Sequence, residues 1–167
     1  MNALAHPAAP AISVETRFGI TDLYDAYSAA LDEGRYSDWA SFFTDDAVYR
    51  LVPKENYDRN LPIAIIYCDG RGMIEDRAFT TVETTIAQPR SLRHFVTGFA
   101  VREVVEGGYE VGANFLIVQT MLDRGTEIVM SGRYIDRVVQ DGERLLFARK
   151  TCVSDTLLYP TSVVAPV

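Results

Sequence analysis

The sequence predicts an α+β cone in which three amino-terminal helices pack on a long curved antiparallel sheet. Three observations carry that reading. The first third of the chain repeats its apolar residues at helical spacing. The last half divides into four strand-length stretches separated by short Gly-containing reversals. One of those stretches, residues 109–122, is apolar on both faces, so both sides of the sheet expect a cover.

Each element has its local reason. Ser13 is a candidate N-cap, with Glu15 in the first turn where the helix dipole favours negative charge. Ile20, Leu23, Tyr24, Tyr27, Ala30 and Leu31 then form one stripe, and Gly34 supplies the stop. A second short helix is expected over residues 37–43, with Trp39, Phe42 and Phe43 on its apolar side. Residues 47–52 read as the first strand, Pro53 as its end and 54–60 as a polar connection. The apolar run 62–68 reads as a second strand, interrupted by Asp69, Gly70 and Gly72. A third helix fits 73–86, with Met73, Ile74, Phe79, Val82 and Ile86 as its less polar positions and Pro89 behind it.

The four later strands are expected at 93–105, 109–122, 126–139 and 144–154. Their connections are Glu106-Gly107-Gly108, Asp123-Arg124-Gly125 and Gln140-Asp141-Gly142. In the second of them Tyr109, Val111, Ala113, Phe115, Ile117 and Met121 point one way; Leu116, Val118, Thr120 and Leu122 point the other. The helices cover one side. Another subunit is the simplest cover for the second, and a sheet curving onto its own loops is the alternative. Residues 1–12 are expected to form a flexible arm and 13–167 a single domain.

Composition narrows the function. The chain has 167 residues, 16 Lys+Arg against 23 Asp+Glu and a formal net charge of −7. That charge repels a phosphate backbone and an anionic membrane surface, so neither nucleic acid nor membrane is expected as a partner. The only histidines are His6, in the arm, and His94; the only cysteines are Cys68 and Cys152. A Rieske cluster needs two His and two Cys, a mononuclear non-haem iron two His and a carboxylate, and a structural zinc four Cys/His ligands. One ordered histidine builds none of these, so no metal, cofactor-binding or catalytic residue is assigned to this chain. The start of the chain lacks the basic and apolar pattern of a secretion signal, and the cysteines read as free thiols of a cytoplasmic protein.

Against that background a family pattern emerges. It rests on Trp39 with Phe42-Phe43 and Asp45; on Tyr49-Arg50-Leu51, Pro53 and Glu55-Asn56; on Leu61-Pro62 and the apolar run behind it; and on Met73-Ile74 with Asp76-Arg77. Arg93-His94, Ser131-Gly132-Arg133-Tyr134, Asp155 and Tyr159-Pro160 fit as well. From about Ile20 onward the chain resembles the small (β) subunit of Rieske-type aromatic-ring-hydroxylating oxygenases, which share the nuclear-transport-factor-2-like (SnoaL-like) cone. The run from Tyr49 looks most like subunits of enzymes acting on aromatic acids, such as salicylate hydroxylases and terephthalate dioxygenases. The resemblance implies a mostly structural role beside an α subunit that holds both the Rieske [2Fe-2S] cluster and the mononuclear iron. It also implies an α3β3 hexamer with β–β contacts, and electrons from NAD(P)H through a separate reductase.

Individual residues keep two readings each. His94 is either a hydrogen-bonded strand residue or a general base in a stand-alone isomerase or dehydratase, with an Asp or Tyr partner. Tyr27, Tyr49 and Asp46 are candidates for the mouth of the cone, with the tyrosines alternatively in the core and their hydroxyls at the rim. Asp76-Arg77 serve the helix locally or pair across an interface. Arg90 and Arg93 are solvated or meet an acidic patch on the α subunit. Cys68 and Cys152 read as buried inert thiols, Trp39 as a core anchor or interface hot spot. The apolar tail from Tyr159 to Val167 is expected to dock on its own sheet or on a partner.

Overall fold

The computed structural model describes residues 10–83, 90–123, 125–156, 158–159 and 165–167. His6, Ile86, Pro89, Arg124 and Pro160 lie outside them, as does most of the arm. Helix α1 runs Val14–Asp32. Ser13 caps it, its Oγ accepting from the Thr16 N–H at 3.0 Å. Gly34, at φ +71°, closes it: the Gly34 N–H donates to Leu31 and the Arg35 N–H to Ala30, the paired bonds of a Schellman ending. The stripe expected from the sequence is the buried one.

The second helix is shorter than its apolar residues suggest. α2 covers only Tyr36–Trp39, a 3₁₀ turn takes Ala40–Phe42, and Phe43 already starts strand β1, Phe43–Pro53. Phe43 is extended because it pairs with Phe147, a partner 104 positions away that helical spacing cannot announce. The polar connection after Pro53 is a helix, α3 (Lys54–Asp58), supported by the i,i+4 pairs Lys54–Asp58 and Glu55–Arg59. Of the apolar run 62–68 only its end belongs to a strand, β2 (Ile66–Asp69). Pairing with β1 stops at Leu51↔Ile66, just before Pro53, which has no N–H to offer a ladder. Helix α4 spans Arg71–Glu83. Of its expected apolar positions among the described residues only Ile74 is buried, joined by Ala78, while Met73, Phe79 and Val82 are exposed.

Strands β3 (Arg90–Val105), β4 (Gly108–Met121), β5 (Thr126–Asp141) and β6 (Arg144–Ser154) form the expected meander. The six-stranded sheet has the order β2-β1-β6-β5-β4-β3. It is not wholly antiparallel: β1 and β6 run parallel, with Tyr49 opposite Lys150. That departure follows from the helices lying between β1 and the meander, which bring the chain back at the far side. Ladder irregularities curve the sheet. In β3 the register shifts between Thr97 and Ala100, and Gly98 takes φ +68°, a conformation that costs glycine nothing.

The core fills the concave side. Tyr24, Tyr27, Trp39, Phe43, Tyr49, Tyr134 and Phe147 are all fully buried there. Their rings meet mostly edge to face, as aromatic quadrupoles prefer: Trp39 lies 5.1 Å from Tyr49 and 5.4 Å from Phe43 at near-right angles. Trp39 is therefore a core anchor.

Candidate functional site

The two faces of the sheet offer three places where chemistry or recognition can occur. The first is the centre of the cone. Tyr27 on α1 donates to the Val167 main-chain oxygen at 2.6 Å, Tyr49 on β1 at 3.3 Å and the Cys152 thiol on β6 at 3.3 Å. The Val167 N–H in turn donates to the Tyr49 hydroxyl at 2.8 Å. Neither tyrosine reaches the rim; both are fully buried, and the described end of the tail, Val167, docks on its own chain. Burial pushes the Cys152 thiol up to about 12 and holds the Tyr27 and Tyr49 phenols well above their ordinary range. Asp46 lies elsewhere, exposed, accepting from Thr44.

Beside this cup sits a buried ion pair. Lys150 Nζ is 3.0 Å from Asp136 Oδ2, and both residues have no exposed surface. Tyr24 donates to the same carboxylate at 2.5 Å and the Thr151 N–H at 3.1 Å. The ammonium also lies over the rings of Tyr134, Phe147, Tyr27 and Tyr24, 3.5–4.6 Å from their centroids. Desolvation raises the Asp136 carboxyl, while Lys150 and the two hydrogen bonds pull it back. Neither residue was singled out from the sequence. A charged residue at an inward position of a strand, as Asp136 is between Tyr134 and Val138 on alternate positions, was the available signal.

The second place is His94 on β3. Its side chain is 1% exposed, and Nδ1 lies 2.6 Å from Asp32 Oδ1 at the end of α1. The same carboxylate accepts the His94 main-chain N–H at 3.0 and 3.2 Å. His94 Nε2 is buried and has no hydrogen-bond partner among the described residues. The sequence suggests an Asp or Tyr partner for this imidazole without singling one out; the fold supplies Asp32, 62 positions away. Among the described residues no three His, Cys, Asp or Glu side chains gather as a metal site.

The third place is the outer face. Leu116 and Val118 are half-buried, and their cross-strand neighbours Phe95 and Ile128 are 56% and 63% exposed. Leu122 stands beyond the end of β4, 91% exposed. No described part of the chain covers this apolar strip, which rules out closure of the sheet on its own described loops there.

The remaining residues have local duties. Asp76 is exposed and its carbonyl accepts from Thr80; the Arg77 carbonyl accepts from Thr81. Arg90 reaches Gln119 at 3.3 Å, and Gln119 passes on to Glu127. Arg93 donates to the neighbouring Leu92 carbonyl. Cys68 is buried, and its thiol is raised by desolvation against the pull of Arg77.

The comparisons with known proteins fit this geometry. The family model "Ring hydroxylating beta subunit" matches residues 27–159. The anthranilate 1,2-dioxygenase small subunit of Burkholderia cepacia is 30% identical, over 92% of this chain and 96% of its own length. A β subunit of the terminal oxygenase component of terephthalate 1,2-dioxygenase from a Comamonas species is 24% identical, over 84% of this chain and 92% of its own. The crystal structure of a β subunit assigned to an aromatic-ring-hydroxylating dioxygenase of Novosphingobium aromaticivorans superposes with a TM-score of 0.82 at 30% identity, covering 90% and 95% of the two chains. The fold is thus the nuclear-transport-factor-2-like cone expected from the sequence. A match that spans α1 to the tail, on a cone with its interior filled, leads to one conclusion: this chain belongs to the family of ring-hydroxylating β subunits, components of aromatic-ring oxygenases.

Proposed function

We propose that the chain is a structural β subunit, without a catalytic, metal or cofactor-binding residue of its own, that supports an iron-bearing α subunit acting on an aromatic acid. One observation carries the reading. The cone, where a small molecule would enter, is packed with the chain's own rings and Val167, while the outer face leaves Phe95, Leu116, Val118 and Ile128 bare. A protein that binds small molecules needs an open concave pocket; one that binds subunits needs an apolar face. In this reading the Rieske cluster and mononuclear iron belong to the α subunit, in an α3β3 assembly with β–β contacts, in the cytoplasm and fed by NAD(P)H through a reductase. Among the described residues no helix is long and apolar enough to cross a membrane. Anthranilate and terephthalate, named for two relatives, are both aromatic carboxylates, which supports an aromatic acid as substrate of the complex. In this reading residues 13–167 act as one domain behind the arm 1–12.

Expression with its α subunit tests the proposal. A larger iron-containing chain is expected to co-purify, and the isolated β chain is expected to bind no stoichiometric iron and to oxidise no substrate. Stoichiometric iron on the isolated chain sinks it.

A second reading has its own observation: the His94–Asp32 pair is geometrically suited to acid–base work, with Nε2 unengaged among the described residues. Replacing His94 with Ala in the assembled complex separates the two. A rate loss of about 10²–10⁴-fold with assembly intact favours a general base. An unchanged rate per assembled complex leaves His94 a structural residue.

A further inference from the structure

The cup around Val167 is built by the scaffold. Tyr27 is held between Phe43 and Phe147, Tyr49 between Trp39 and Phe43, and Cys152 stands opposite Tyr134 in the sheet. Their three polar hydrogens converge on one oxygen, although Tyr27 lies 140 and Tyr49 118 positions from Val167 in the chain. The Tyr49 hydroxyl simultaneously accepts the Val167 N–H, and the residue is 3% exposed. Several donors aimed at one acceptor inside an apolar wall is the arrangement by which proteins orient a small ligand. Buried donors left without an acceptor are unfavourable, so an empty cup favours a replacement.

We propose that Tyr27, Tyr49 and Cys152 form a binding site for the acyl oxygen of a small, branched apolar amide or carboxylate, and that Val167 is an occupant carried on the same chain. The site is separate from any oxygenation chemistry: it selects by an oxygen acceptor, an N–H for Tyr49 and a body the size of an isopropyl group. Occupancy by Val167 shuts out free ligands, because a tethered group competes at a high effective concentration. Displacing the tail therefore uncovers the site.

Thiol labelling at Cys152, followed by peptide mass mapping so that Cys68 is scored apart, tests this in the chain with whatever subunits it purifies with. Deleting residues 165–167 is expected to speed labelling of Cys152 about tenfold or more, as a buried group released from local protection. N-acetylvaline at millimolar concentration is expected to restore slow labelling in the deleted chain, whereas N-acetylglycine, without the branched side chain, is not. Adding Tyr27→Phe to the deletion is expected to abolish that protection. No acceleration on deletion, or no difference between the two probes, overturns the proposal. If that chain fails to fold, deletion of Val167 alone replaces it, which removes the main-chain oxygen and N–H that occupy the cup. N-acetylvaline must then slow Cys152 labelling at least severalfold, and its failure to do so overturns the proposal equally.

Discussion

The concave and convex sides of this sheet are made from the same strands yet treat polar groups in opposite ways. On the concave side a lysine, an aspartate, four tyrosines and a cysteine are buried, and all of them except the Tyr134 hydroxyl have a hydrogen-bond partner among the described residues. On the convex side Leu116 and Val118 of β4 stand half open beside Phe95 and Ile128, and the polar contact of that strand face lies at its margin, between Thr120 and Thr126. The difference separates two kinds of specificity. Inside, geometry is fixed by partnered charges and hydroxyls in a low dielectric, where an unpaired group is costly. Outside, the strip offers mainly shape and apolar area, which suits contact with another folded surface.

Breaking the interior has the largest expected effect. Lys150→Ala leaves Asp136 as a buried carboxylate without its ammonium and is expected to cost about 3–5 kcal/mol in urea unfolding. The double variant Asp136→Leu with Lys150→Met is expected to recover much of that loss, since a packed apolar pair avoids the desolvation of both charges. If Lys150→Ala unfolds at the same midpoint as the parent, the interior pair does not hold the cone.

Alkali attacks the same region with a defined sign. Cys152 and the phenols of Tyr24, Tyr27, Tyr49 and Tyr134 all release their protons at higher pH in the folded chain than in the unfolded one. Their contribution is complete below the unfolded thiol value of 9.0. It falls as pH rises toward about 12, because the unfolded chain sheds protons that the folded chain retains. Each such group adds about 1.4 kcal/mol of lost stability per pH unit within its window. Stability is therefore expected to decline steeply above pH 9. Four of the nine tyrosines should ionise only as the chain unfolds, as read by tyrosinate absorbance. Smooth titration of all nine before unfolding contradicts this account.

The convex face predicts the smallest change in the monomer and a sharp one in the assembly. Leu116→Asp or Val118→Asp alters a half-exposed side chain, so the unfolding free energy of the isolated chain is expected to move by about 1 kcal/mol or less. Size-exclusion chromatography of the complex is expected to show dissociation. An unchanged oligomer means that these side chains do not face a partner.

How much of this was legible in the sequence depended on the range of the interaction. The α1 stripe, its Gly34 stop and the meander are local patterns, and they are where the residues placed them. The two-sided apolar character of β4 was likewise readable, since alternation is a two-residue rule. The parallel pairing of β1 with β6 was not, because a ladder partner about a hundred positions away leaves no periodic trace. For the same reason Asp32 was not matched to His94, nor Tyr27 and Tyr49 to Val167. In α4 the less polar positions do not mark the buried face: among the described residues Ile74 and Ala78 are buried, while Met73, Phe79 and Val82 are left to solvent.

The grip of Asp32 on His94 also limits how the protein can grow. β3 is an outermost strand with β4 on one side only, so its other flank presents donors that could recruit a foreign strand. At His94 that donor is already taken by a carboxylate from α1, and further along two register breaks disrupt the repeat a newcomer would have to match. Sideways extension of the sheet into fibres or swapped dimers is thereby discouraged, and association is steered through side chains instead of through the backbone.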